Sequence, residues 1–570
     1  MKKYLKLTSI LLIATLLISS LLVSTAVAEE EQKPWLDIPW DKIPEWPWDD
    51  KSPSEHLSNP TNFDLYFNAG WYSTRMWNPD KQTLARAVTG ATGVDLTLLT
   101  PAGSGTEKLN AMIAAGDLPD IISGLASDDP QVSVLRGSRL VYPLDELIDK
   151  YAPEYWDIIP QAMVDWYTAE DGHWYEFPGE FWAKSKMTEQ NYLETNAHGM
   201  FVDKRVMDQL GIDKEAFTTK EGTIEALKKV KEADLTYKGV EVDPPLLIGA
   251  YGLDGTWEDN ASGMFAIPRE DEEGKLIYRR RHPKYLEMMK FANRLFREGL
   301  ISQQNMAMST KRVDEKLMGG GYFAYLGPMG GAMPEAAELV YQDPPKEWIP
   351  VGPIRAADEA RPEFPAGGAG WPMTYITKSC DEPGKAIRWL LWQYNNPILM
   401  YYGVEGITYT WNEDKDRIVW TEERVKTFEE GGWLAEMQKY GHRTIPYWSE
   451  EPAAVQRVQP KPATKSWAIY DSIIKYNSKF TYDVKPFSGL APQTGKLASL
   501  NSQINEYWES QMSKMIMAKS PERVEEIWKK SIDHIEKLGF EKIYEHMNEK
   551  FQENKEKLGL EYAWPPNREE

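Results

Sequence analysis

The chain has 570 residues and a formal charge of −22, from 65 Lys and Arg against 87 Asp and Glu. So acidic a surface repels nucleic acid and anionic lipid, which argues against both as partners. A single cysteine, Cys380, excludes an intramolecular disulfide framework, so a length suited to two or more lobes must draw its stability from large apolar cores, with Cys380 itself expected as a buried small residue.

The N-terminus carries Lys2, Lys3 and Lys6, then an apolar stretch from Ile10 to Val23, then Ala26, Val27 and Ala28. This pattern predicts a signal peptide over 1–28 and an exported protein, periplasmic, cell-surface or extracellular. An uncleaved N-terminal anchor is the alternative reading of the same stretch. Glu29 stands where lipid attachment would need a cysteine, so no lipid anchor is expected. Residues 29–60 are acidic and proline-rich, with Trp35, Trp40, Trp46 and Trp48 spaced between prolines. They read as an extended linker that docks on the body through its indoles.

Phe63, Leu65 and Phe67 alternate with polar residues as a half-buried strand does, and Asn68, Ala69 and Gly70 end it. Asp80 to Thr89 follows as a helix and Val94 to Leu99 as a second strand. Strand, loop, helix, strand is the opening of a mainly parallel sheet flanked by helices, whose ligands bind beyond the strands' carboxyl ends. Trp71, Tyr72, Arg75 and Trp77 lie in that first loop and are candidate ligand contacts. The segment KLNAMIAAGDLPDII, Lys108 to Ile122, reads as a helix closed by Gly116, then a turn and a strand. Asp117 and Asp120 stand in the turn, where each could accept sugar hydroxyl bonds or cap the adjoining backbone. Further on, strands are expected at Gly199 to Val202 and Tyr322 to Leu326, and a charged hairpin at Glu270 to Tyr278. Helices are expected at Lys204 to Leu210, Tyr285 to Glu298, Pro383 to Tyr394 and through most of Leu500 to Leu558.

KLNAMIAAGDLPDII resembles the hallmark of the family 1 extracellular solute-binding proteins of ABC importers, above all their long, oligosaccharide-associated branch. DGHWYEFPG (Asp171 to Gly179), GMFVDKRVMDQLGI (Gly199 to Ile212), FREGLI (Phe296 to Ile301), DEPGKAIRWLLWQYNNP with YYGVEG (Asp381 to Gly406) and SPERVEEIWKKSIDHIEKLGFEKIYEHMNEKF are similar to the family's later elements, in the same order. The resemblance implies an α/β, two-lobe periplasmic-binding-protein-like fold of type II, each lobe a mainly parallel sheet, with the ligand in the interlobe cleft and a hinge that closes on it. Its implied partition is 61–172 plus 318–376 for the N-terminal lobe and 173–317 plus 377–570 for the C-terminal lobe. It implies a monomer whose partners are a carbohydrate ligand and the importer's permease subunits, with no cofactor and no enzymatic activity. The missing lipidation cysteine and the Trp-Pro linker depart from the pattern.

The 23 Trp and 29 Tyr residues suit pyranose faces, because an indole offers a wide flat surface with a polar edge. Further candidate contacts are Trp174 and Tyr175 near the lobe crossing, Trp257 in a polar glycine loop, Trp371 in GGAGWPM, and Tyr409 and Trp411 after YYGVEG. Three such platforms, each covering roughly 60 Å² of sugar at ~25 cal/mol per Å², supply about half of what a micromolar affinity requires. Asn412, Asp414, Asp416 and Glu423 have the spacing of calcium-loop positions, but Arg417 replaces the turn glycine, so an acidic hairpin is the preferred reading. A secreted glycosidase or lyase is the competing class; among 87 acidic residues, paired carboxylates in the sequence carry no information. A surface scaffold using the tryptophan linker is a third.

Overall fold

The computed structural model describes residues 33–101, 105–126, 129–169, 171–181, 198–248, 255–308, 310–328, 346–352, 354, 364–366, 369–441, 481–492 and 495–564. The signal stretch and residues 29–32 lie outside them. In chain order the strands are β1 (Thr61–Phe67), β2 (Val94–Leu99), β3 (Ile121–Leu125), β4 (Phe177–Phe181), β5 (His198–Asp203), β6 (Thr236–Tyr237), β7 (Val240–Glu241), β8 (Leu246–Ile248), β9 (Ala324–Pro328), β10 (Trp348–Val351), β11 (Phe364–Ala366), β12 (Ala369–Ile376), β13 (Tyr409–Trp411), β14 (Ile418–Trp420) and β15 (Thr481–Asp483).

Two sheets organise two apolar cores. The first has the order β2-β1-β3-β12-β4, with β1 parallel to β2 and β3, and β12 antiparallel to both of its neighbours. Phe63, Leu65 and Phe67 point into one core with Val88, Leu109, Trp389 and Leu391. The second sheet has the order β10-β5-β9-β8, antiparallel except for β8 beside β9. The helix Pro283–Arg297 and the C-terminal helices Gly495–Ile516 and Pro521–Leu538 pack together over its core, where Trp508 and Met512 are buried. Both sheets are therefore mixed rather than mainly parallel, and in the second only β8 and β9 run in the same direction.

The lobe boundaries differ from the expected partition. Residues 324–328, expected in the N-terminal lobe, form β9 at the centre of the second sheet, and β10 joins it there. The helix Pro383–Asn395, expected in the C-terminal lobe, packs on the helix Leu144–Tyr151 and buries Trp389 and Leu390 in the first core. An apolar run such as Tyr322 to Leu326 suits either sheet, and only its pairing partner decides. Among the described residues the first core is thus drawn from segments between 38 and 181 and between 373 and 404, and the second from segments between 200 and 354 and between 504 and 543. The chain passes between them three times, and β11 and β15, from the second and third passages, pair in parallel as a two-stranded ribbon.

The N-terminal linker is docked, as expected. Trp46 is buried, Trp48 stacks on Tyr155 with ring centroids 5.6 Å apart, and the Trp392 indole donates to the Glu45 carbonyl at 2.9 Å. The short helix Pro53–Ser58 has a full capping box, in which Ser52 and Glu55 satisfy each other's backbone N–H. Among the described residues no helix is long and apolar enough to cross a membrane.

Candidate functional site

The edges at which the chain changes lobes locate the candidate site. On the first sheet, β1, β2 and β3 end at Phe67, Leu99 and Leu125. Because β12 is reversed, its first residues reach the same edge, where Ala369 pairs with Phe181, the last residue of β4. On the second sheet, His198 at the start of β5 pairs with Pro328 at the end of β9, and Val351 at the end of β10 pairs with Met200. The first two passages between the lobes leave and enter the sheets at these edges.

The first-lobe edge is tightly fixed. The Tyr66 hydroxyl donates to Asn68 Oδ1 at 3.1 Å and reaches the Gly105 carbonyl at 3.1 Å, while Asn68 N–H donates to the Ser123 carbonyl at 2.9 Å. Burial pushes the Tyr66 phenol up to about 12, which keeps it a neutral donor. Gly124 has φ +84°, and a Cβ there would lie 2.9 Å from the Asn68 nitrogen, so both conformation and space require glycine. Asn68 was not among the expected site residues; its position directly after the strand, in the Asn-Ala-Gly break, was the available signal.

The expected contacts divide by position. Trp71 lies in the turn Gly70–Thr74 at the carboxyl end of β1, and Trp371 lies in β12 beside Gly370, which pairs with Glu180. Trp257 lies in the first turn of the helix Gly255–Met264, which follows the carboxyl end of β8 and contacts β11. The backbones of these three stand at the interlobe edges, two in one lobe and one in the other; their side chains lie outside the description. Arg75 is half-buried in the same loop as Trp71, its guanidinium 5.6 Å from the Tyr72 ring and donating to Met437 Sδ.

The other candidates are placed elsewhere. Tyr72 is buried, stacked on Phe67 at 3.8 Å between centroids, and Trp77 is buried in the same core. Trp174 is 1% exposed, with its indole donating to the Glu176 carbonyl, and Tyr175 is buried with its hydroxyl on Asp171 at 2.7 Å. All four, expected as ligand contacts, are buried members of the first core. Asp120 stands before β3, at the opposite edge from the candidate site, and accepts the Asp64 N–H at 2.8 Å. Burial raises its pKa against that bond. Asp117 is exposed in the turn that precedes it. Both are corrected from ligand contacts to residues of the amino-end turn.

Tyr409 is buried in a small cluster with Tyr402, Ile418, Trp420 and Phe428, while Trp411 is half-buried and donates to Glu405 at 3.3 Å. The segment with calcium-loop spacing is the β13–β14 turn. Asn412 Oδ1 accepts the backbone N–H of Asp416 at 3.1 Å and of Arg417 at 3.0 Å, and its amide donates to Asp416 at 2.7 Å. Glu423 has moved into a helix and pairs with Lys439 at 2.6 Å. Asn412, Asp414 and Asp416 thus lie in the turn of the acidic hairpin that is the preferred reading of the sequence, and Glu423, the fourth position of that spacing, in a helix-end ion pair; among the described residues no group of three or more His, Cys, Asp or Glu could hold a metal ion. Cys380 is buried as expected.

No family model matches the chain. Over 241 residues, 40% of this chain and 43% of the relative, it is 24% identical to the fructooligosaccharide ABC transporter substrate-binding protein FusA of Streptococcus pneumoniae; the alignment thus spans under half of that relative. Solved structures align over much more. FusA in complex with kestose superposes with a TM-score of 0.64 at 16% identity, over 87% of this chain and 100% of FusA. The alginate-binding protein AlgQ2, described without calcium ion, gives 0.61 at 16% over 88% and 100%. A solute-binding protein of Bifidobacterium longum infantis, associated with a human-milk-oligosaccharide-binding ABC transporter, gives 0.60 at 14% over 86% and 99%. Matches of this extent establish the fold: two mixed sheets flanked by helices, as in FusA.

Proposed function

We infer that this chain, whose fold is that of the extracellular solute-binding proteins, captures an oligosaccharide between its two lobes, leaves it chemically unchanged, and passes it to the permease subunits of an ABC importer. The observation that carries the reading is the position of the first two passages. They join the end of β4 at Phe181 to the start of β5 at His198, and the end of β10 at Val351 to the start of β12 at Ala369, so a ligand held at these strand ends contacts both lobes and favours whichever interlobe geometry brings them together. The structural neighbours that bind kestose, fructo-nystose and Man1GlcNAc support a carbohydrate of more than one ring as the ligand class.

Trp71 and Trp371 are the proposed platforms of the first lobe, and Trp257 that of the second, with Arg75 behind the Trp71 turn. A tryptophan face against a sugar ring gains apolar burial without demanding one hydroxyl pattern, and hydrogen bonds at the rim then select the sugar. The chain is proposed to act outside the cytoplasm, following the signal pattern of residues 1–28.

Isothermal titration against kestose, nystose, milk-type oligosaccharides, N-glycan fragments and alginate oligosaccharides tests the proposal. One of them should bind with a dissociation constant on the order of micromolar and be recovered intact by mass spectrometry. A cleaved product, or no binding across the panel, overturns it.

A further inference from the structure

The N-terminal arm does more than cover apolar surface. The Trp35 indole donates to the Lys81 carbonyl at 3.2 Å, its own carbonyl accepts from the Thr83 hydroxyl at 2.7 Å, and Lys439 Nζ lies 4.6 Å over its ring. One residue of the arm therefore grips the amino end of the helix Thr83–Thr92 together with the carboxyl end of the segment Glu422–Tyr440, whose helix is interrupted at Gly432. Between those ends lies Gln82, fully buried, whose side-chain amide donates to the Met437 carbonyl at 2.8 Å and whose oxygen accepts the Asn78 N–H at 3.0 Å. Gly441, at φ +76°, closes the second helix directly against Gln82: a Cβ there would lie 3.1 Å from the Gln82 Cβ. Met437 in turn receives the Arg75 guanidinium on its sulfur. A continuous set of contacts thus runs from Trp35 through Lys81 and Thr83, which flank Gln82 in the chain, and on through Gln82 and Met437 to Arg75, in the loop that carries Trp71. Gly441 is also the last described first-lobe residue before the third passage.

We propose that the arm is a strap whose Trp35 anchor makes the Trp71 loop and the end of the helix Glu422–Tyr440 one rigid unit, so that Trp35 is a positioning residue for the first-lobe wall of the ligand site without touching ligand. Burial and hydrogen bonding hold the unit, and local opening is governed by how few such contacts remain when one is removed. Trp40 against Gly90, Trp46, and Trp48 against Tyr155 keep the remainder of the arm in place, so a single substitution at Trp35 leaves the lobe folded.

Hydrogen exchange on full-length mature Trp35→Ala tests this. Exchange should rise about tenfold both at 437–441 and at 72–77, while the second-lobe helix Pro283–Arg297 is unchanged. Kestose, or whichever panel sugar the unaltered protein binds, should dissociate about tenfold faster, and Trp35→Phe, which keeps a ring beneath Lys439, should recover part of both effects. A rise confined to 33–40 overturns the strap. So does unaltered sugar dissociation when the loop exchange has risen. The affinity measurement rests on the proposed function and the exchange measurement does not: absence of any sugar ligand would defeat that function while the exchange result still decides whether the strap exists.

Discussion

Trp71 is the residue on which the ligand reading is most exposed to test. Its turn begins directly after β1 and is held beneath by the stacked pair Phe67 and Tyr72, so the backbone is fixed by groups other than the indole. Trp71→Ala is expected to weaken oligosaccharide binding at least several-fold by titration calorimetry while the unliganded protein still folds. Glu176 makes a different prediction. Its side chain is buried beside Arg136 at 3.5 Å, with Oε2 unbonded, and burial pushes its pKa up to about 7 against the pull of that arginine. The folded state therefore holds the proton more tightly than the unfolded chain, whose carboxyl titrates near the ordinary 4.5. Stability from this group is fully present below pH 4.5 and falls as pH rises towards 7, by roughly 3 kcal/mol in all. Glu176→Gln should lose that slope, so the variant's stability relative to the unaltered protein, read by chemical denaturation, should improve from pH 5 to pH 8. An equal difference at both pH values would count against the assignment.

Among the elements, the helix Gly255–Met264 and the hairpin β13–β14 show how context decides what a sequence pattern means. Glu258, next to Trp257, is fully buried and bound by Arg279 at 3.0 Å, by Arg280 at 2.9 Å through each oxygen, and by the Tyr285 hydroxyl at 2.6 Å. Burial pushes its carboxyl up, and the two guanidiniums overcome this and hold it well below the usual range. Trp508 and Asn505 extend the network into the helix Gly495–Ile516. The proposed second-lobe platform thus stands on three helical segments joined by one carboxylate. Glu258→Gln leaves two arginines without their counter-charge in the interior and should cost about 3 kcal/mol or more in denaturation measurements. Periodicity located most of these elements to within a few residues: the helix Lys204–Leu210 and the strand Val94–Leu99 appear with the expected limits. It could not tell that Trp174 and Tyr175 turn inward, because an aromatic beside Gly, His and Asp looks exposed until the neighbouring helices are in place.

At the scale of the molecule, two cores joined by three passages predict a change of shape on binding. If ligand bridges the strand-end edges, the radius of gyration from small-angle scattering should fall on adding the bound oligosaccharide, and Trp257→Ala should reduce that contraction along with affinity. An unchanged scattering profile at saturating ligand would exclude closure as the mechanism. The arm belongs to this scale as well, since it ties the segment that follows the expected signal peptide to the first lobe rather than the second. Lys42 with Glu405 at 3.3 Å, Trp48 with Glu154 at 3.0 Å and His56 between Asp49 and the Gly90 carbonyl all bind it there.

The residue order alone determined the class of fold, because apolar alternation, helix stops and family-like segments are local patterns that survive in one dimension. It also determined where the first strand ends and that a tryptophan follows it. The tertiary structure decided which strand joins which sheet, where the chain changes lobes, and which aromatics are core. Those are questions of pairing between residues far apart in the chain: β9 finds β5 across more than a hundred residues, and Asp120 is taken by the Asp64 backbone. An apolar strand or a lone carboxylate carries no mark of its partner until the fold supplies one.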